Sequence, residues 1–174
     1  MKNIRNLFSV VLLLASCNSS EKLDRETAFN LIQDNKVYPK MISYNIFIFD
    51  PNFAKRILDA DLEETGLVRV QRTRKLGDVI QPIISFTAKA NPYLLPQSNQ
   101  DKSDGIQRVK IAEEVVEEVT GVQMLEDDKK AVVEVRTSFQ NITPFSKLSK
   151  LIMDKGNKQK VNLVLYDNGW RIEL

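Results

Sequence analysis

The only cysteine of this 174-residue chain is Cys17, so no intrachain disulfide can form. The fold must be held by burial of apolar side chains alone. Length permits this, because a domain of about 150 residues removes about 68–70% of its unfolded surface from water. The chain also lacks histidine. That excludes Cys–His nucleophile pairs, Ser-His-Asp triads and His-containing zinc sites. The six glycines are scattered, and none forms a strand–loop–helix phosphate cradle.

The surroundings of Cys17 indicate export. Lys2 and Arg5 precede a run from Leu7 to Ala15 that is apolar except for Ser9, the layout of a secretory signal. The run falls short of the roughly 20 apolar residues that span a bilayer. Leu14-Ala15-Ser16-Cys17 resembles the lipobox of bacterial lipoprotein signals, with leucine three places before the cysteine and small residues between. The resemblance covers residues 1 to about 20. It implies a signal peptide over 1–16, a diacylglycerol on the Cys17 thiol, and an acylated new amino group. Acyl chains of the palmitate type, at about 0.8 kcal/mol per buried methylene, then give a stable membrane anchor. Asn18 in place of aspartate implies the outer membrane of the cell envelope. The alternative is an ordinary secretory signal with a chance cysteine at its end.

Residues 17–23 read as a lipidated polar tether. The mature chain is formally neutral, because Lys2 and Arg5 carry the whole excess of 25 basic over 23 acidic residues. Nothing in that balance draws the domain toward nucleic acid or anionic lipid.

Asp24 is placed to N-cap a helix from Arg25 to about Asn35, with Ala28, Phe29, Leu31 and Ile32 as its apolar stripe. Met41 to Phe49 is apolar and suits a strand or irregular structure. A second helix starts at the Asp50 cap and Pro51, and Gly66 is positioned to end it. The alternating runs 67–71 and 82–87, joined across a polar turn at 75–78, form a hairpin. Leu-Glu-Glu-Thr-Gly-Leu-Val at 62–68 and Ile-Ser-Phe-Thr at 84–87 resemble the last helix and wing of winged-helix domains, a likeness spanning residues 24–96. In DNA-binding members a helix carries basic and amide groups to base edges. Here Lys55 and Arg56 are outweighed by Asp59, Asp61, Glu63 and Glu64. Arg69, Arg72, Arg74 and Lys75 make the hairpin basic, which suits a solvated edge that resists strand pairing.

Residues 96–105 are polar and turn-rich, and mark an internal boundary. Beyond it, 106–174 reads as an antiparallel β region. Val133, Val135, Thr137 and Phe139 share one face of a strand, and 161–166 and 170–174 alternate across Asp167-Asn168-Gly169. Residues 111–119 fit either element: Ala112, Val115, Val116 and Val119 lie at helical spacing, while β-branched content favours strand. Strand is the reading adopted. Val-Thr-Gly-Val at 119–122, Asn-Ile-Thr-Pro-Phe at 141–145 and Asn-Gly-Trp-Arg-Ile at 168–172 resemble the sheets of cystatin-like and nuclear-transport-factor-like exported domains.

Carboxylate pairs are the remaining source of chemistry. Glu113/Glu114, Glu117/Glu118 and Asp127/Asp128 would support glycoside hydrolysis if one pKa were raised by burial. Adjacent strand residues point to opposite faces, however, and the Asp pair precedes Lys129-Lys130, so these groups read as solvated surface with no metal-binding spacing. The aromatics Tyr38, Tyr44, Phe47, Phe49, Phe53, Phe86, Tyr93, Phe139, Phe145, Tyr166 and Trp170 read mainly as core.

The sequence therefore describes an α+β protein, with helices and a β-hairpin in the first half and an antiparallel sheet in the second. The expected role is a non-enzymatic binding or accessory subunit of the envelope, without cofactor or metal, attached through Cys17 and meeting an envelope protein or glycan. Two alternatives stand beside it. One is a carboxylate-dependent hydrolase of glycan or cell wall; the other, if the lipobox is spurious, is a DNA-binding regulator.

Overall fold

The computed structural model describes residues 22–73, 81–125, 128–151, 153 and 156–173. Helix α1 covers Arg25–Asp34, and its N-cap Asp24 accepts the Thr27 amide at 2.8 Å. Strand β1, Lys40–Phe47, leads through the Asp50 cap into α2, Pro51–Asp59. Helix α2 is shorter than the sequence suggests. It stops because Asp61 turns left-handed at φ 57°, and Gly66, at φ 74°, ends the following turns rather than the helix. A small hairpin follows, with β2 at Val68–Val70 and β3 at Ile84–Phe86, paired antiparallel. The turn expected at 75–78 lies outside the described residues. A 3-10 helix at Ala88–Tyr93 and the short α3, Asn99–Ser103, complete this part; α3 occupies the polar 96–105 stretch, with a Ser98/Asp101 capping box.

The main sheet contains β4 (Ile106–Leu125), β5 (Lys130–Gln140), β6 (Asn157–Tyr166) and β7 (Gly169–Glu173), with a 3-10 turn at Pro144–Leu148 between β5 and β6. All its pairings are antiparallel, in the order β1-β4-β5-β6-β7. The fold is thus mixed α and β with strands dominant, and β1, which precedes the 96–105 stretch, belongs to the same sheet as the strands after it. In the β6–β7 turn the positive φ falls on Gly169 alone, at 109°.

Strand β4 explains why residues 111–119 carry two periodicities. Its register slips opposite Ile42/Ser43 of β1, and in its pairing with β5 it slips at its own Val116/Glu118 and Val119/Gly121. Each slip inserts one unopposed residue, and such a β-bulge reverses which parity faces the core. Buried positions therefore run Val109, Ile111, Ala112, Glu114, Val116, Val119. Their spacing of one, two and three imitates a helix although every residue is in a strand.

Two apolar clusters lie on the inner face. Helix α1 packs Ala28 and Ile32 against Val116, Val119, Val133, Val135, Leu163 and Trp170. Helix α2 and the small hairpin pack Ile57, Val68 and Ile84 against Ile46, Val109, Ile111 and Phe145. Phe145 also meets the rings of Phe86 and Tyr93, with centroids 6.2 and 6.0 Å away. Trp170 is buried, but Phe47, Phe49 and Tyr166 are exposed, so these three aromatics are surface rather than core.

Candidate functional site

Glu114 is the one carboxylate that the fold takes out of solvent among the described residues, at 4% exposure on the inner face of β4. The expectation that it is solvated does not hold. Because the bulge beside Ile111 moves the core-facing parity onto even positions, Glu114 points inward while Glu113 points outward. Thr137 on β5 is fully buried and its hydroxyl donates to Glu114 Oε1 at 2.7 Å. A hydroxyl has one proton, so the longer approach to the Asn157 carbonyl, 3.3 Å, is the weaker contact. Tyr38, also buried, lies close enough to feel this carboxylate. Burial, and secondarily the Glu114 charge, push its phenol pKa above 10.0. The backbone at Gly156 crosses tightly over Thr137: a Cβ there would sit 2.4 Å from the Thr137 carbonyl oxygen.

The other carboxylates are engaged at the surface. Glu113 bonds Lys110 and, at 2.6 Å, Asn141, and these two bonds hold its pKa below the usual carboxylate range. Glu117 and Glu118 share Arg136, with the Nε contact to Glu117 at 3.4 Å. Asp128 is exposed, and Asp127 lies outside the described residues. Glu113 and Glu114 point to opposite faces, and no described cluster of acidic or sulfur groups has metal-site geometry.

The open concavities flank α2 instead. On one side a groove of about 550 Å³ has an apolar floor of Ala54, Leu58, Val70 and Ile83, rimmed by Lys55, Asp59, Gln71 and Arg72. Both rim cations are held in place. Lys55 pairs with Asp59 one turn on, at 2.7 Å, and Arg72 meets Glu63 Oε2 at 2.5 Å. Glu63 also accepts the Val70 amide at 2.8 Å, which, with Arg72, holds its pKa below the usual range. Glu63 thereby ties the end of β2 to the turns after α2. On the other side a more polar groove of about 520 Å³ runs between Arg56, Asp59 and Asp61 and the Lys147–Lys150 segment. Arg56 is itself stacked 5.3 Å from the Phe53 ring and donates to the Tyr44 hydroxyl at 3.0 Å.

The structure thus brings Arg72 to a groove rim and leaves Arg69 exposed on β2; Arg74 and Lys75 lie outside the described residues. Cys17 lies outside them as well. The grooves were not legible in the sequence, since their walls come from α2, β2 and the 144–150 segment, which no local pattern relates. No described helix is long and apolar enough to cross a membrane. No protein-family model matches the chain, and neither a curated protein nor a solved structure matches it.

Proposed function

We propose that this chain is an envelope lipoprotein, anchored through Cys17 in the outer membrane, whose domain acts without chemistry of its own as a binding or accessory subunit for an envelope partner. The observation that carries this reading is the sequence Leu14-Ala15-Ser16-Cys17 set directly before a folded domain. Among the described residues Leu23 is the first buried one, six positions beyond Cys17. A fully extended segment of that length reaches about 20 Å at roughly 3.3–3.6 Å per residue, so the anchor holds the domain close to the bilayer surface.

Two features favour binding over catalysis. The sequence has no histidine, and Glu114 meets a threonine rather than a second carboxylate. The α2–β2 groove, apolar at its floor and edged by the ion pairs Lys55–Asp59 and Arg72–Glu63, suits an apolar side chain of a partner protein better than a sugar ring, which asks for many convergent hydrogen-bonding groups.

Metabolic labelling with a fatty-acid analogue tests the anchor. Label and membrane retention are expected for the wild-type chain and are lost in Cys17→Ala. An unlabelled wild-type chain in the soluble fraction would refute it. In-cell crosslinking from Lys55→Cys at the groove rim tests the accessory role, with one envelope protein as the expected product. Equal capture from Lys160→Cys, on the exposed part of β6, would show the groove is not the contact.

A further inference from the structure

Strand β1 is the edge of the main sheet, and β3 meets it only just past its end, where the Ile84 amide donates to the Ile48 carbonyl at 3.0 Å. Edge strands are commonly protected by charge, proline or a bulged residue of their own. Between Met41 and Phe47 this one carries no charge and no proline, and the slip in its pairing with β4 puts the extra residue on β4. Its outward apolar side chains keep much of their exposure, Met41 at 50% and Phe47 at 39%, the latter with its ring 5.1 Å from that of Phe53.

The direction of its backbone groups can be read from the next residue. Ile48 donates its amide to the Gly105 carbonyl of the strand-β4 side at 2.8 Å. Since backbone groups alternate along a strand, Ile46 and Tyr44 also face β4, whereas Ser43 and Asn45 direct theirs to the open edge; at Phe47 the carbonyl is already taken by the Asp50 amide at 3.2 Å. On the other side of β4, Arg108 gives its carbonyl to Leu95, which fits the same phase.

The run Met41-Ile42-Ser43-Tyr44-Asn45-Ile46-Phe47 is close to a palindrome of side-chain character. We infer that β1 pairs antiparallel with β1 of a second copy, about a twofold axis at Tyr44. In that register Met41 faces Phe47 of the other copy, Ile42 faces Ile46, Ser43 faces Asn45, and Tyr44 faces Tyr44. Apolar meets apolar and polar meets polar on each sheet face, the condition for favourable cross-strand pairs. Ser43 and Asn45 form the hydrogen-bonded pairs nearest the axis, as their outward backbone groups require. Charge agrees with this arrangement: Lys40 at one end of the strand is brought toward the end where the other copy has Asp50, and no like charges face across the neutral run. A β1 pair extends the five-stranded sheet across the dimer. Alone it buries less than the roughly 1,200–2,000 Å² of a stable interface. A shared membrane surface raises the effective concentration, and this part of the inference rests on the proposed anchor.

The test uses the full chain in its membrane. Two differently tagged copies carrying Ser43→Cys and Asn45→Cys are co-expressed and oxidised. A mixed-tag disulfide dimer is expected, at least tenfold above the dimer formed by either variant with itself. Sedimentation of the detergent-extracted chain gives the second reading. Wild type is expected to shift from monomer to dimer with concentration, and Asn45→Pro, which removes an edge-facing amide and no bond to β4, to stay monomeric. Monomer at every concentration without a mixed dimer, or equal 43–43 and 43–45 crosslinking, overturns the pairing, as does crosslinking only to a different protein. The wild-type chain separates this from the anchor: if Cys17 itself crosslinks, its thiol is not lipidated, and the pairing is then read in a Cys17→Ser background.

Discussion

Replacing Thr137 by valine keeps the side chain's branched shape and deletes its hydroxyl. In the folded chain that hydroxyl is fully buried and serves the equally inaccessible Glu114 carboxylate at 2.7 Å. A hydrogen bond to a charged group contributes about 1.5–3 kcal/mol, and a buried acceptor left without its donor carries the desolvation cost of that group. Thr137→Val is therefore expected to destabilise by about 2 kcal/mol, although it adds apolar surface to the core. With an m-value of about 2 kcal/mol/M, the urea midpoint falls by about 1 M. The thermal midpoint falls by about 4–8 °C for a domain of this size. A double-mutant cycle with Glu114→Met isolates the pair. Once the carboxylate is gone the valine costs little, so the double variant should be about 1–2 kcal/mol more stable than the sum of the single changes predicts. A Thr137→Val midpoint within about 0.5 kcal/mol of wild type, or additive single effects, would show that Glu114 does not depend on Thr137.

Three further outcomes are expected. Gly156→Ala forces a Cβ to within 2.4 Å of the Thr137 carbonyl, and such overpacking costs about 1–3 kcal/mol, measurable in the same urea titration; an unchanged midpoint would mean the crossing relaxes freely. Phe145→Ala opens a cavity beneath Phe86 and Tyr93 at a cost of about 3–5 kcal/mol, and calorimetry should show the whole transition moving as one unit; an early separate transition would contradict a shared core. Asp24, Glu63, Asp101 and Glu113 have folded pKa values below their ordinary 3.8 or 4.5. In that interval the unfolded chain binds more protons, so their contribution is complete above the ordinary values and is lost as pH falls through the folded ones. Urea midpoints should hold from neutral pH down to about 5 and decline below it; Glu63→Gln should flatten that decline, and a midpoint rising on acidification would reverse the sign.

Local chemistry was enough to place several elements. Asp24 and Asp50 are N-caps because their carboxylates satisfy amides two or three residues on, and Pro51 starts α2 because the first helical turn needs no amide from it. The alternation of residues 131–137 set the buried face of β5, and the strand reading of 111–119 held. The end of α2 was not legible, since Asp61 takes the left-handed conformation five residues before Gly66, which takes it as well. Nor was the exposure of Phe47, Phe49 and Tyr166, because apolar character alone does not say whether a partner element lies opposite.

What the sequence determined by itself is covalent or local. The lone Cys17 excludes disulfides, the missing histidine removes whole classes of catalysis, and capping and alternation depend on neighbours within one turn or one strand. Only the tertiary structure decided that Glu114 is buried while Glu113 is not, that β1 joins strands beyond the 96–105 stretch, and that grooves form on both flanks of α2. Each of these depends on register. A bulge shifts a strand by one residue and exchanges its faces, and where it falls is set by the pairing of residues far apart in the chain.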